Sequence, residues 1–194
     1  MNVELEVDKK YRWVALSGRK KNYLGVFEDG SLDVKGLLGK KRNTPEFCKR
    51  AFYEITKILK DVKNSEEFED AKKKIFQIVR RNYSMLERGE FDLKDLAIKV
   101  QITKPLSLYT KTTPQHVKAA RLLESKNKRV EVGQIINFIK TVTKPGVKPV
   151  ELASKREVDV NKYKEYLKST LEQILDALNI NFEEISTPPL EKWF

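Results

Sequence analysis

The chain has 194 residues, 40% of them hydrophobic and 35% charged, and its 39 Lys and Arg outnumber 28 Asp and Glu for a net charge of +11. That length and apolar content allow one medium domain, or a small one plus an attachment, and the basic excess favours a polyanionic partner, nucleic acid ahead of an acidic membrane surface. No run is long or apolar enough to span a bilayer, Met1 to Asp8 carries three acids and no signal-peptide block, and Cys48, the one cysteine, excludes an internal disulfide and a cysteine-based metal cluster, all of which fits a cytoplasmic chain.

Tyr11-Arg12-Trp13-Val14-Ala15-Leu16-Ser17 is rich in aromatic and apolar residues and reads as a strand. Tyr23 to Phe27 reads as a second strand, closed by Glu28-Asp29-Gly30, and an Asp-Gly pair between such runs signals a hairpin. At the mouth of that hairpin stands Arg19-Lys20-Lys21-Asn22-Tyr23. Cations beside a ring on β-structure suit a phosphodiester chain, with charge for the phosphates and a flat ring or hydroxyl for the sugar or base. A solvated face has the same local appearance. Ser31 to Val34 ends the hairpin, and Lys35-Gly36-Leu37-Leu38-Gly39-Lys40-Lys41-Arg42 follows as a glycine-broken basic loop. Glycines let a backbone approach a ligand closely, so this loop is either a second phosphate contact or a solvated connection.

Thr44-Pro45-Glu46 predicts a helix start, with Thr44 as N-cap and Pro45 in the first turn. Phe47, Ala51, Ile55, Ile58, Leu59 and Val62 recur at helical spacing, and Cys48 beside them reads as a buried structural thiol. Asn64 with Glu67 predicts the cap of a second helix, ended by Gly89, and the pair reads as an αα-hairpin. Its lysine and arginine runs read as solvated faces. Asp92 to Leu96 reads as one helical turn, and Ala97 to Ile102 alternates like a half-buried strand. Thr103 to Lys111 is polar, cationic and aromatic by turns. Thr112-Thr113-Pro114 opens a third helix, which carries His116, the single histidine, read as a hydrogen-bonding structural residue. Val130 to Ile139 reads as strand, pause at Gly133, and strand again; Val142 to Lys148 reads as a loop; and Val150 to Ala153 reads as a short helical turn. Asp159 caps the last long helix, whose stripe runs from Tyr163 to Leu178, and Asn179 closes it.

The sequence contains no Walker loop, no dinucleotide glycine fingerprint, no His/Glu metal helix and no Ser-His-Asp set. On its residues alone it reads as a basic α+β binding module with no catalytic residues and no metal site of its own.

Several stretches in sequence order carry a resemblance. Arg19-Lys20-Lys21-Asn22-Tyr23-Leu24-Gly25 resembles the Lys-Lys-x-Tyr element of family B DNA polymerases, and Asp33-Val34-Lys35-Gly36-Leu37 with the basic run behind it is similar to the exit of that family's palm. Gln101-Ile102-Thr103-Lys104-Pro105-Leu106 with Tyr109, then Pro114-Gln115-His116-Val117-Lys118-Ala119-Ala120, resembles its thumb signature. Gly133-Gln134-Ile135-Ile136, and Asp159 with Tyr163 and Gln173-Ile174-Leu175, resemble later thumb elements, with an archaeal look throughout.

The resemblance implies an α+β fold: residues 1–42 as a β-hairpin completing a palm sheet, residues 43–185 as a mainly helical thumb with a small β element, and residues 186–194 as a tail. The family's metal-binding aspartates, nucleotide-binding helix and exonuclease lie upstream of these elements. Met1 stands where the catalytic strand would have ended, which implies the small subunit of a split DNA-directed DNA polymerase, or a fragment cut there. The large subunit would then supply exonuclease, fingers and catalytic palm, together with Mg2+, and this chain would need no cofactor. Arg19, Lys20, Lys21 and Tyr23 would touch the primer–template duplex, Lys40, Lys41 and Arg42 would add phosphate contacts, and Thr103, Lys104, Tyr109, His116, Lys118 and Arg121 would line the thumb. Tyr11, Trp13, Val14 and Leu16 would meet the large subunit, because a two-stranded sheet is marginal alone. In the tail, Leu190, Trp193 and Phe194 resemble a sliding-clamp peptide, with Thr187 where a Gln usually stands. The alternative is a non-catalytic DNA-binding or scaffolding protein that links a polymerase to its clamp.

Overall fold

β1 (Tyr11–Leu16), β2 (Tyr23–Phe27) and β3 (Leu32–Lys35) form the first of two antiparallel three-stranded sheets in the computed structural model, which describes residues 6–18, 21–37, 39, 41–182 and 185. The expected hairpin is thus part of a three-stranded sheet. Asp29-Gly30 turns the chain from β2 into β3, with Asp29 Oδ1 accepting the Ser31 N–H at 2.7 Å and Gly30 at φ 78°. Register sets Ala15 opposite Leu24 and Trp13 opposite Val26, so the alternation of the pleat buries Ala15, Leu24 and Val26. Tyr23, Gly25 and Asp33 fall on the other face, where Gly25 pairs with both Val14 and Asp33.

The buried face of this sheet joins a core built by α1 (Glu46–Asp61), α2 (Ser65–Arg88) and α4 (Val160–Ala177). Leu24, Leu37, Phe52, Ile75, Leu86, Tyr163 and Leu171 belong to one cluster, so the boundary expected at residue 42 coincides with no break in the packing. Trp13 adds a directional tie: its indole N–H donates to the Val62 carbonyl, 3.2 Å away, in the link between α1 and α2.

The caps of α2 and α4 follow their sequence signals. Asn64 Oδ1 accepts the Glu67 N–H at 2.9 Å, Glu67 reaches back to the Lys63 N–H at 2.8 Å, and Gly89 closes the helix in the left-handed conformation. Asp159 Oδ1 accepts the Lys162 N–H at 3.1 Å. The start of α1 differs from expectation. Pro45, not Thr44, is the N-cap and no side chain caps it; the Phe47 N–H donates instead to the Asp95 carbonyl at 2.9 Å. A distant loop thereby satisfies a donor that a local hydroxyl would otherwise have taken.

The second sheet has the order β4 (Ile98–Gln101), β5 (Ile135–Lys140), β6 (Val147–Pro149), and α3 (Gln115–Glu124) packs on it through Ala119, Ala120 and Leu123. Two readings change here. The strand expected from Val130 begins only at Ile135, because Val132 and Gly133 turn the chain and the Gln101 amide holds the Gly133 carbonyl at 2.9 Å. The loop expected over 142–148 contains the edge strand β6, whose proline pairs with Phe138. Asp92 to Leu96 is a turn rather than helix, with Asp92 Oδ1 on the Lys94 N–H. Among the described residues no helix is long and apolar enough to cross a membrane.

Candidate nucleic-acid interface

Tyr23 begins β2, directly opposite Leu16 on one side and Lys35 on the other. Its hydroxyl donates to Asp33 Oδ2 at 2.9 Å. The same oxygen accepts the Tyr11 hydroxyl at 2.6 Å and the Lys9 ammonium at 2.7 Å. The Lys9 and Tyr11 hydrogen bonds hold the Asp33 carboxyl at about 2, well below the usual carboxylate range, and the hydrogen bond to Asp33 raises the Tyr11 phenol.

Lys21 stands two residues before Tyr23, exposed and at φ 64°, a backbone conformation that non-glycine residues rarely take. Gly36 explains how the turn is accommodated. At φ 72° it passes so near that a Cβ would lie 1.8 Å from Asn22 Oδ1 and 2.9 Å from the Lys21 carbonyl oxygen. Exposed Lys21 and Lys35 therefore share one end of a rigid sheet with Tyr23. Lys41 and Arg42 are exposed farther along the loop, whereas Arg19, Lys20 and Lys40 lie outside the described residues.

A second group gathers ahead of α3. Lys104 places its Nζ 4.5 Å from the centre of the Tyr109 ring, Tyr109 and Thr103 hydroxyls lie 3.3 Å apart, and the His116 ring meets Tyr109 edge-on at 6.1 Å. Cation and ring stabilise each other electrostatically. Burial pushes the His116 imidazole below its usual range. Arg121 stays exposed but reaches across to the loop: its guanidinium makes long contacts with the Tyr109 and Leu106 carbonyls at 3.3 and 3.5 Å and with Thr113 Oγ1 at 3.5 Å. Lys118 keeps partial exposure on the same helix. The buried Lys140 ammonium meets the Gln115 side-chain carbonyl at the helix start, and its desolvation, with Lys162 and Lys118 nearby, lowers its affinity for a proton. Thr103, Lys104, Tyr109 and His116 thus lie together in the structure, and Lys140, which no sequence signal singled out, stands against the start of α3.

The four residues expected to meet a large subunit divide. Tyr11 stacks on Phe27 at 4.8 Å and is bound to Asp33, and Trp13 is tied to Val62, so both are engaged within the chain. Val14 and Leu16 remain 43% and 68% exposed on the free edge strand. Contrary to expectation, this sheet is not a marginal two-stranded ribbon: β3 gives it a third strand and the shared core gives it a buried face. Leu190, Trp193 and Phe194 lie outside the described residues. Asp29 is spent on its own turn, and among the described residues no three of His, Cys, Asp or Glu gather where they could hold a metal ion.

Asp33 and Lys9 are the members of the first cluster that motif reading did not place. The signal was the register: Gly25 opposite Asp33 clears the space that the Tyr11 ring occupies, since a Cβ on Gly25 would stand 2.4 Å from it.

Comparison with known proteins gives a consistent result. The sequence profile described as DNA polymerase family B matches residues 1–185. DNA polymerase 1 of Saccharolobus solfataricus is 45% identical over 194 residues, which are 100% of this chain and 22% of that protein. DNA polymerase 1 of Aeropyrum pernix is 41% identical over 184 residues, 95% of this chain and 19% of that protein. The structure of the family B DNA polymerase from the hyperthermophilic archaeon Pyrobaculum calidifontis is similar with a TM-score of 0.63 and 26% identity, covering 89% of this chain and 21% of that one. The chain spans about a fifth of the length of these relatives.

Proposed function

The chain belongs to DNA polymerase family B, and on that premise we propose that it grips the primer–template duplex during DNA synthesis while another polypeptide carries out the metal-dependent nucleotidyl transfer. One observation carries the reading: Tyr23, its hydroxyl anchored, shares a rigid sheet end with the exposed cations Lys21 and Lys35. Such a surface meets sugar and phosphate without reading base sequence. The first sheet acts as the end of a palm and residues 43–185 as a thumb. Lys21 and Tyr23 make the contacts nearest the growing end, with Arg19 and Lys20 beside them. Lys40, Lys41 and Arg42 add phosphate contacts, and Thr103, Lys104, Tyr109, His116 and Lys118 face the duplex product. Arg121 shapes the loop that presents them.

In this reading the chain is the small subunit of a split polymerase. Beside it, a large subunit brings the metal-binding aspartates and Mg2+. Val14 and Leu16 on the β1 edge meet that subunit, and the tail from Leu190 to Phe194 recruits the sliding clamp. The test is primer extension by a family B large subunit that lacks these elements, with and without this chain. The expected result is extension that depends on the chain and is lost when Lys21 and Tyr23 are both replaced by Ala. Salt-sensitive duplex binding with no rescue of extension, and loss of clamp recruitment on deleting residues 187–194, would favour a scaffold instead.

A further inference from the structure

Asp33 Oδ2 accepts three hydrogen bonds, from Tyr11 at 2.6 Å, Lys9 at 2.7 Å and Tyr23 at 2.9 Å. The donors come from the segment before β1, from β1 and from β2, while Asp33 itself lies on β3. One side chain therefore ties all three strands together on the face that packs away from the core. Tyr11 and Tyr23 meet edge-on at 6.2 Å, so the rings support each other as well.

This arrangement fixes what Tyr23 can offer a ligand. Its hydroxyl proton is committed to a carboxylate, and charge-assisted hydrogen bonds are the strong ones. A bare carboxylate beside a phosphate chain would repel it, and the Lys9 ammonium offsets that charge. We propose that Asp33 is a positioning residue for the duplex grip: it holds the Tyr23 ring at a fixed angle, so that Tyr23 addresses the sugar and base edge with its ring and not by donating its hydroxyl. The inference rests on the reading of Tyr23 as a duplex contact.

The test is fluorescence anisotropy of a labelled primer–template duplex with the full chain, at fixed salt, for Tyr23→Ala, Tyr23→Phe, Asp33→Asn and the double variant Tyr23→Phe/Asp33→Asn. Tyr23→Phe keeps the ring and removes only the tether. Asp33→Asn removes a negative charge, which by itself would strengthen binding, so a loss in that variant cannot come from net charge. The expected result is a loss of roughly 3- to 10-fold in each single variant. The double variant should bind no more weakly than the weaker single, the non-additivity of two groups acting through one contact. Absorbance titration at alkaline pH supplies a second readout, of the tether itself: the Tyr11 phenol should ionise at lower pH in Asp33→Asn than in the parent, because its hydrogen bond to the Asp33 carboxylate raises it. If Tyr23→Ala weakens binding but Tyr23→Phe and Asp33→Asn do not, or if their losses simply add, the positioning role is overturned while the duplex contact stands. If Tyr23→Ala binds like the parent, the duplex contact itself fails, and the positioning role with it.

Discussion

The Tyr163 hydroxyl accepts a hydrogen bond from the Lys140 backbone N–H at 2.9 Å, joining the middle of the helical core to the second sheet. Tyr163 is fully buried, and burial raises its phenol well above the usual tyrosine range. A buried phenol and a buried amide thus satisfy each other where the two apolar clusters meet. Tyr163→Phe keeps the ring and strands the amide, so it should cost about 1–3 kcal/mol of stability. Urea denaturation followed by circular dichroism measures it, with the midpoint expected to fall at an unchanged slope.

Asp33 should contribute to the acid sensitivity of the fold. Its native carboxyl titrates at about 2 against an ordinary 3.8, so the unfolded chain takes up this proton first. In that window the unfolded state binds more protons, and stability rises with pH. The contribution is complete above about pH 4 and is lost as the pH falls toward 2. Denaturation midpoints measured from pH 5 down to pH 2 should therefore drop more steeply for the parent than for Asp33→Asn.

His116 and Lys118, both on α3, should separate by salt dependence. Burial holds His116 below its usual range, so at pH 7.5 it is neutral and His116→Ala should leave the slope of log affinity against log salt unchanged. Lys118→Ala should reduce that slope by about 0.9, the value of one released counterion. Duplex titrations at four salt concentrations decide both.

Cys48 should be inert in the native protein. Its thiol is fully buried and its titration is pushed up to about 12 by desolvation. At pH 8 the thiolate fraction is then on the order of one in ten thousand, and it has no path to solvent. Labelling with a disulfide reagent should proceed only at the rate of opening, and should become immediate in denaturant.

Local signals were readable in the sequence and distant ones were not. Asn64 with Glu67, Gly89, and Asp159 each act within four residues, and each does in the structure what its spacing suggests. Thr44 was legible as a cap but displaced by the carbonyl of Asp95, far along the chain. β6 is three residues with a proline, and only the neighbouring β5 makes it a strand. In the candidate site, Lys104 and Tyr109 are five residues apart and their pairing was within reach of pattern reading. Asp33 was not, because its donors Lys9 and Tyr11 lie 24 and 22 residues away and meet it only once the register is set.

The indole bridge from Trp13 to Val62 has a mechanical consequence. It fastens the outermost strand to the joint between two long helices, so a force applied at the strand edge is carried into the helix pair rather than absorbed by a loose ribbon. Whatever settles against Val14 and Leu16 pushes on a braced wall, and little ordering entropy is lost when it arrives.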